Sequence, residues 1–242
     1  MRIAVAGGTG VVGRHVVDVA QERGHQVVVL SRSEGVDLTT GAGIAQRLEG
    51  VDAVIDTSNQ TSQKRADAEA FFGGVTRTLL SAETAAGVGH HVALSIVGID
   101  DVDSGYYAGK RLQERVLAEG PVPWSVLRAT QFHEFAEQAL HFVRIGPFSL
   151  VPRMLSQPVA AREVGEALVD LAEGDPVGRA PELAGPEQLQ IVDLARRVAR
   201  GRRVVPVRLP GAAGTAMRTG ALLPQGDGPR GTLTFDAWLA DR

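Results

Sequence analysis

Seven residues near the start of the chain limit what it can fold into more than any others. They read Gly7-Gly8-Thr9-Gly10-Val11-Val12-Gly13, with glycines three apart at 7, 10 and 13. An apolar run at residues 2–6 precedes them, and a stretch with apolar residues at helical spacing, 11–23, follows and ends at Gly24. Residues 26–30, QVVVL, form a second apolar run. Strand, glycine turn, helix and strand within thirty residues spell one βαβ unit. Such a turn must be tight, must let a ligand approach the backbone, and must let the helix pack close to the strand. The helix then aims its free N–H groups and its dipole at an anion. A glycine pattern alone is weak, but between a strand and a helix it points to the pyrophosphate of a dinucleotide.

The alternation continues along the chain. Helical patterns are expected at 44–48, at 66–86 (disturbed near Gly73-Gly74) and at 106–119, and strands at 52–56, 91–95 and 124–127. Strands alternating with helices imply an α/β fold, a doubly wound parallel sheet of the Rossmann type. After residue 150 the rhythm loosens, with helices expected at 162–172 and 191–200 and a strand at 204–207. The expected organisation is therefore a dinucleotide-binding domain over 1–150 and a small C-terminal substrate-binding region over 151–242.

Composition narrows the partners. The formal net charge is −3 and no basic stripe stands out, so nucleic acid is not an expected partner. No run approaches roughly 18 apolar residues, so no membrane span is expected. The absence of cysteine excludes disulfides and a thiol nucleophile, and with no signal peptide in view a cytoplasmic location is expected.

The second strand ends Leu30-Ser31-Arg32, with no carboxylate at 31 or 32 to bind the ribose hydroxyls of NAD. Arg32 can pair with a 2′-phosphate and Ser31 can add a hydrogen bond. NADP(H) is the expected cofactor, with NAD(H) as the alternative, and Glu34 nearby argues against the stronger form of this reading.

Tyr106 and Lys110 form Y-x-x-x-K. Four residues apart on a helix they share a face, so the lysine charge is expected to lower the tyrosine pKa and prepare the phenol for proton transfer. Ser95, at the carboxyl end of the fourth strand, can orient a substrate oxygen. The bland alternative is one packed aromatic and one solvated lysine. His90 and His91 lie at the opposite end of that strand and read as structural. His133 and His141 lack the H-E-x-x-H spacing of a zinc site, and Asp100, Asp101 and Asp103 read as a solvated loop.

Taken together, IAVAGGTGVVGRHVV, LSRSEGVDL, VALSIVGID, YYAGKRLQE and WSVLRATQFHEF resemble the atypical short-chain dehydrogenase/reductases, in their NmrA-like, NAD(P)H-binding branch. The resemblance covers about residues 1–145 well and the rest loosely. It implies phosphate contacts from Gly7, Thr9, Gly10, Val11 and Val12, an adenine site near Asp37 and Leu38, and a cofactor path past Thr57 and Ser58. It implies Lys110 at the nicotinamide ribose, and Ala129, Thr130 and Gln131 near the nicotinamide. Members of this branch often lack the tyrosine, and some are sensors without turnover. Two readings follow: an oxidoreductase of a small carbonyl, alcohol, quinone or enone, with Ser95, Tyr106 and Lys110 catalytic, and a redox sensor that binds NAD(P) and a protein partner. A nucleotide-sugar epimerase is a third and weaker reading, because the C-terminal part is short.

Overall fold

The computed structural model describes residues 1–241. In chain order the elements are β1 (Arg2–Ala6), α1 (Gly13–Glu22), β2 (Gln26–Leu30), α2 (Ile44–Arg47), β3 (Ala53–Asp56), α3 (Arg65–Ala86), β4 (His90–Ile96), α4 (Gly105–Ala118) and β5 (Trp124–Ala129). They continue with α5 (Phe135–Ala139), β6 (Val143–Ile145), β7 (Phe148–Pro152), β8 (Leu155–Ser156), α6 (Ala161–Glu173), β9 (Gly178–Arg179) and β10 (Leu189–Gln190). The last are α7 (Ile191–Arg197), β11 (Arg203–Val207), α8 (Gly211–Thr219) and α9 (Phe235–Ala240).

The chain divides into two units, and not at a single boundary near residue 150. One unit takes residues 1–95, 104–128 and 162–180, and the other takes 96–103, 129–161 and 181–242. The return of 162–180 to the first unit has a plain cause. Helix α6 buries Val164, Leu168 and Val169, and its polar face meets α1 and the turn after it. There Arg162 pairs with Glu22 at 2.6 Å, and Arg23 with Asp170 at 2.7 Å. These exposed ion pairs add little, so apolar burial holds the helix in place. Strand β9 then extends the sheet at β5.

The first unit is built on a six-stranded sheet in the order β2-β1-β3-β4-β5-β9. Strand β1 runs parallel to β2 and β3, and β3 parallel to β4. This is the Rossmann-like α/β fold, with strands covered by helices. Strand β3 is buried at every position, as an apolar run between two helical layers must be. One core layer joins Ala4, Ala6, Leu30 and Val54 from the strands to Ile44, Val75 and Leu79 from the helices and to Leu48, which follows α2. Helix α3 runs unbroken through Gly73-Gly74. A Cβ on Gly73 would come within 2.8 Å of Leu112, so that glycine lets α4 pack close. His91 is wholly buried and its Nδ1 lies 2.8 Å from Glu83, whose carboxylate raises the histidine pKa against the opposing effect of burial. The pair is structural.

In the second unit β7 lies between β6, antiparallel, and β11, parallel, and β8 pairs with β10. Among the described residues, no helix is long and apolar enough to cross a membrane.

Candidate cofactor and active site

With strand order 2-1-3-4-5, the connections that leave β1 and β3 run in opposite directions, and the carboxyl ends of these two strands flank the switch point where such sheets bind ligands. The glycine turn follows β1, and Thr57 and Ser58 follow β3. Gly7 adopts φ +73°, in the left-handed region, and its N–H donates to the Leu30 carbonyl. A Cβ on Gly13 would sit 2.8 Å from the Gly7 carbonyl carbon, so helix α1 can start where it does only with glycine there. Gly10 differs. It has no positive φ, and a Cβ would meet only the Gly7 oxygen, at 3.2 Å. The fold itself asks little of that glycine, and Thr9 and Gly10 are both exposed.

Around this turn the chemistry suits an anion. No side chain caps α1 and no acid lies in its first turn, so the positive end of the helix is not neutralised by the protein. The Ser58 hydroxyl is buried and has no hydrogen-bond partner among the described residues. An orphaned hydroxyl, an open glycine and a free helix terminus together fit a bound pyrophosphate. Thr57 Oγ1 donates to the Ala6 carbonyl at 2.9 Å and ties β3 to β1.

At the end of β2, Ser31 is buried, its Oγ 2.9 Å from that of Ser33. Arg32 is exposed, opens a short 3-10 turn, and among the described residues its guanidinium forms no hydrogen bond or ion pair, Glu34 included. Asp37 accepts from the Thr39 hydroxyl at 2.6 Å and its N–H at 2.8 Å, which hold its carboxyl below the usual range. Its carboxylate shapes the turn. Leu38 packs against the core layer described above.

Helix α4 carries the expected pair, but not as expected. Lys110 is buried, with its ammonium 4.4 Å from the Phe72 ring centre. It donates at 2.8 Å to the Leu94 carbonyl and at 2.8 Å to Gln113 Oε1. Burial lowers its pKa to about 8, against the opposing pull of Asp56 and Glu114. Tyr106 donates to Asn59 Oδ1 at 2.7 Å, and burial pushes its pKa up to about 12. The expected lowering of the phenol pKa by Lys110 is therefore corrected: the ammonium is bonded elsewhere and desolvation decides. Ser95 is also engaged. It is buried and donates to Glu114 at 2.5 Å, and Arg128 holds the same carboxylate with Nε at 2.9 Å and Nη2 at 2.7 Å.

A chain of hydrogen bonds that sequence reading overlooked runs back to the glycine turn. Gln113 Nε2 donates to Asp56 Oδ2, and Ser58 N–H donates to Asp56 Oδ1, both at 2.8 Å. The overlooked residues are Asn59, Asp56, Gln113, Glu114 and Arg128. Gln113 and Glu114 had a signal: three and four residues beyond Lys110, they continue its helix face. Ala129, Thr130 and Gln131 belong to the second unit. There Thr130 Oγ1 donates to the Gln157 carbonyl, and Gln131 Oε1 accepts from Ser156, both at 2.6 Å.

Fold and turn together define a dinucleotide-binding chain, and comparison with known proteins specifies the class. The chain belongs to the NAD(P)H-binding family, which it matches over residues 7–174, and NAD(P)(H) is its cofactor. It is 28% identical over 144 residues to a (4-alkanoyl-5-oxo-2,5-dihydrofuran-3-yl)methyl phosphate reductase of Streptomyces griseus, a match covering 54% of this chain and 48% of that protein. The chain thus spans about half the length of that curated relative. Its fold resembles an NADPH-dependent quinone oxidoreductase of Escherichia coli solved with NADPH, with a TM-score of 0.72 at 18% identity over 99% of both chains. It also resembles a UDP-glucose 4-epimerase of Thermus thermophilus solved with NAD, with a TM-score of 0.67 at 20% identity, covering 100% of this chain and 93% of that one.

Proposed function

We propose that this protein is an NADP(H)-dependent reductase of a small carbonyl, quinone or enone. The observation that carries the reading is the phenol of Tyr106. Its O–H donates to Asn59 Oδ1 at 2.7 Å, so it carries the proton that reduction of a carbonyl needs. Reduction of a carbonyl needs a hydride on carbon and a proton on oxygen. The cofactor, when bound, supplies the hydride. Tyr106 supplies the proton, its O–H passing from Asn59 to the substrate oxygen. Lys110, at the next turn of the helix, holds a charge that can meet the ribose. Because Ser95 gives its proton to Glu114, it can accept a hydrogen bond from a ligand hydroxyl but cannot donate one to a carbonyl.

Arg32 supports NADP(H) over NAD(H): a guanidinium at the end of β2 that forms no ion pair with Glu34 suits a 2′-phosphate. The name of the Streptomyces relative describes an unsaturated, carbonyl-bearing furanone that carries a methyl phosphate, and its unsaturation supports the enone end of the substrate range.

One observation favours a sensor instead. Ser95, Tyr106 and Lys110 all direct their protons to partners within the protein. The experiment that separates the two readings is an NADPH-binding titration followed by an NADPH-oxidation screen with quinones, aldehydes, ketones and unsaturated lactones, on wild type and Tyr106→Phe. Turnover that falls at least about a hundredfold in Tyr106→Phe with cofactor affinity unchanged supports the reductase. Binding without turnover of any of these classes supports the sensor.

A further inference from the structure

Away from the residues discussed above, the second unit carries a cleft of about 440 Å³ whose lining includes Arg153, Arg196, Arg208, Arg218, Asp193 and Gln190. Four guanidinium groups face one carboxylate, in a protein whose formal net charge is −3. Two of the four are neutralised or tied down by their surroundings. Arg196 pairs with Asp193 at 2.8 Å, and Arg218 donates to the Leu209 carbonyl and to Thr215 Oγ1, both at 2.9 Å.

Arg153 and Arg208 are different. The parallel pairing of β7 with β11 ends at Pro152 opposite Val207, and the next residue on each strand is an arginine. The Arg153 N–H donates to the Val207 carbonyl at 2.9 Å, which carries the ladder one step further. The two arginines therefore leave neighbouring strands about 5 Å apart. Neither guanidinium has a hydrogen-bond or ion-pair partner among the described residues. Like charges side by side across two strands repel, and the fold gains nothing from the arrangement. A doubly charged anion between them would reverse the sign of that interaction, because guanidinium groups bind phosphate oxygens in pairs. The cleft volume suits a small molecule.

We infer that this cleft is a binding site for a small phosphorylated molecule, with its phosphate held between Arg153 and Arg208. The site is independent of the proposed reductase reading, because none of its residues belongs to the dinucleotide or active-site set.

The test is calorimetric titration of the full chain with pyrophosphate, with and without saturating NADPH. The expected result at saturating NADPH, which fills the glycine turn, is saturable binding that weakens about tenfold or more in the Arg153→Gln/Arg208→Gln double variant. At saturating NADPH, pyrophosphate should also raise the melting temperature of wild type and not that of the double variant. Should the double variant fail to fold, each single variant is expected to bind about threefold or more weakly. Three results would overturn the inference: no saturable binding at millimolar pyrophosphate, equal binding by wild type and the arginine variants at saturating NADPH, or binding that NADPH saturation abolishes. The last would place the anion at the dinucleotide site.

Discussion

Ser95 donates its hydroxyl proton to Glu114 across 2.5 Å, and the same carboxylate holds Arg128. A serine at the carboxyl end of β4 is thus tied into a buried ion pair. Glu114→Gln removes a buried carboxylate that pairs with both Arg128 and Arg179, and should destabilise the protein by about 3 kcal/mol or more. Ser95→Ala removes one charge-assisted hydrogen bond and should cost about 1–3 kcal/mol. Chemical denaturation of both variants measures the difference. Equal and small losses would mean that the pair does not hold the end of β4 in place.

The glycines of the turn should separate fold from binding. Gly13→Ala forces a Cβ against the Gly7 carbonyl and should lower stability by about 2 kcal/mol or more. Gly10→Ala meets only one oxygen, at 3.2 Å, and should leave the melting temperature nearly unchanged while weakening NADPH at least about tenfold. Full cofactor affinity in Gly10→Ala would show that the pyrophosphate does not approach that residue.

Arg32→Ala should weaken NADPH by about tenfold to a hundredfold and NADH by less than about twofold, because only the phosphorylated ribose gains a charge-assisted pair. Parallel fluorescence titrations with the two nucleotides read this directly. An equal effect on both would remove Arg32 from cofactor discrimination.

The buried ammonium of Lys110 should appear in the pH dependence of stability. Its folded pKa of about 8 lies below the ordinary 10.5, so between those values the unfolded chain binds more protons than the folded one. Stability must then rise with pH across that window, and this contribution is lost as pH falls through 8. Tyr106, with its folded pKa raised above the ordinary 10, acts in the opposite direction above pH 10. Unfolding free energies from pH 8 to 10 should therefore rise in wild type relative to Lys110→Met. Parallel curves for the two proteins would mean that Lys110 titrates normally.

Much of the first unit was readable along the chain. Apolar runs at 2–6 and 26–30 became β1 and β2 at those bounds: β1, buried from Ile3 to Ala6, leaves a continuous apolar signal, and the edge strand β2 is marked by three successive β-branched valines. The glycine turn was readable for a similar reason: its geometry is local, and glycine alone satisfies it. Strands β6 to β10 left little trace, since β8, β9 and β10 are only two residues long and depend on distant partners.

The side chains of the site divide along the same line. By itself the sequence determined that a parallel α/β sheet would place a glycine turn at the end of β1, and that Tyr106 and Lys110 would share a helix face, because strand period, helix period and turn chemistry are properties of neighbouring residues. Only the tertiary structure decided where their protons and charges go. Lys110 meets Phe72, Leu94 and Gln113, Tyr106 meets Asn59, and Ser95 meets Glu114, partners drawn from other turns and other elements. Burial and those partners set the protonation of Lys110 and Tyr106, and neither can be read from spacing.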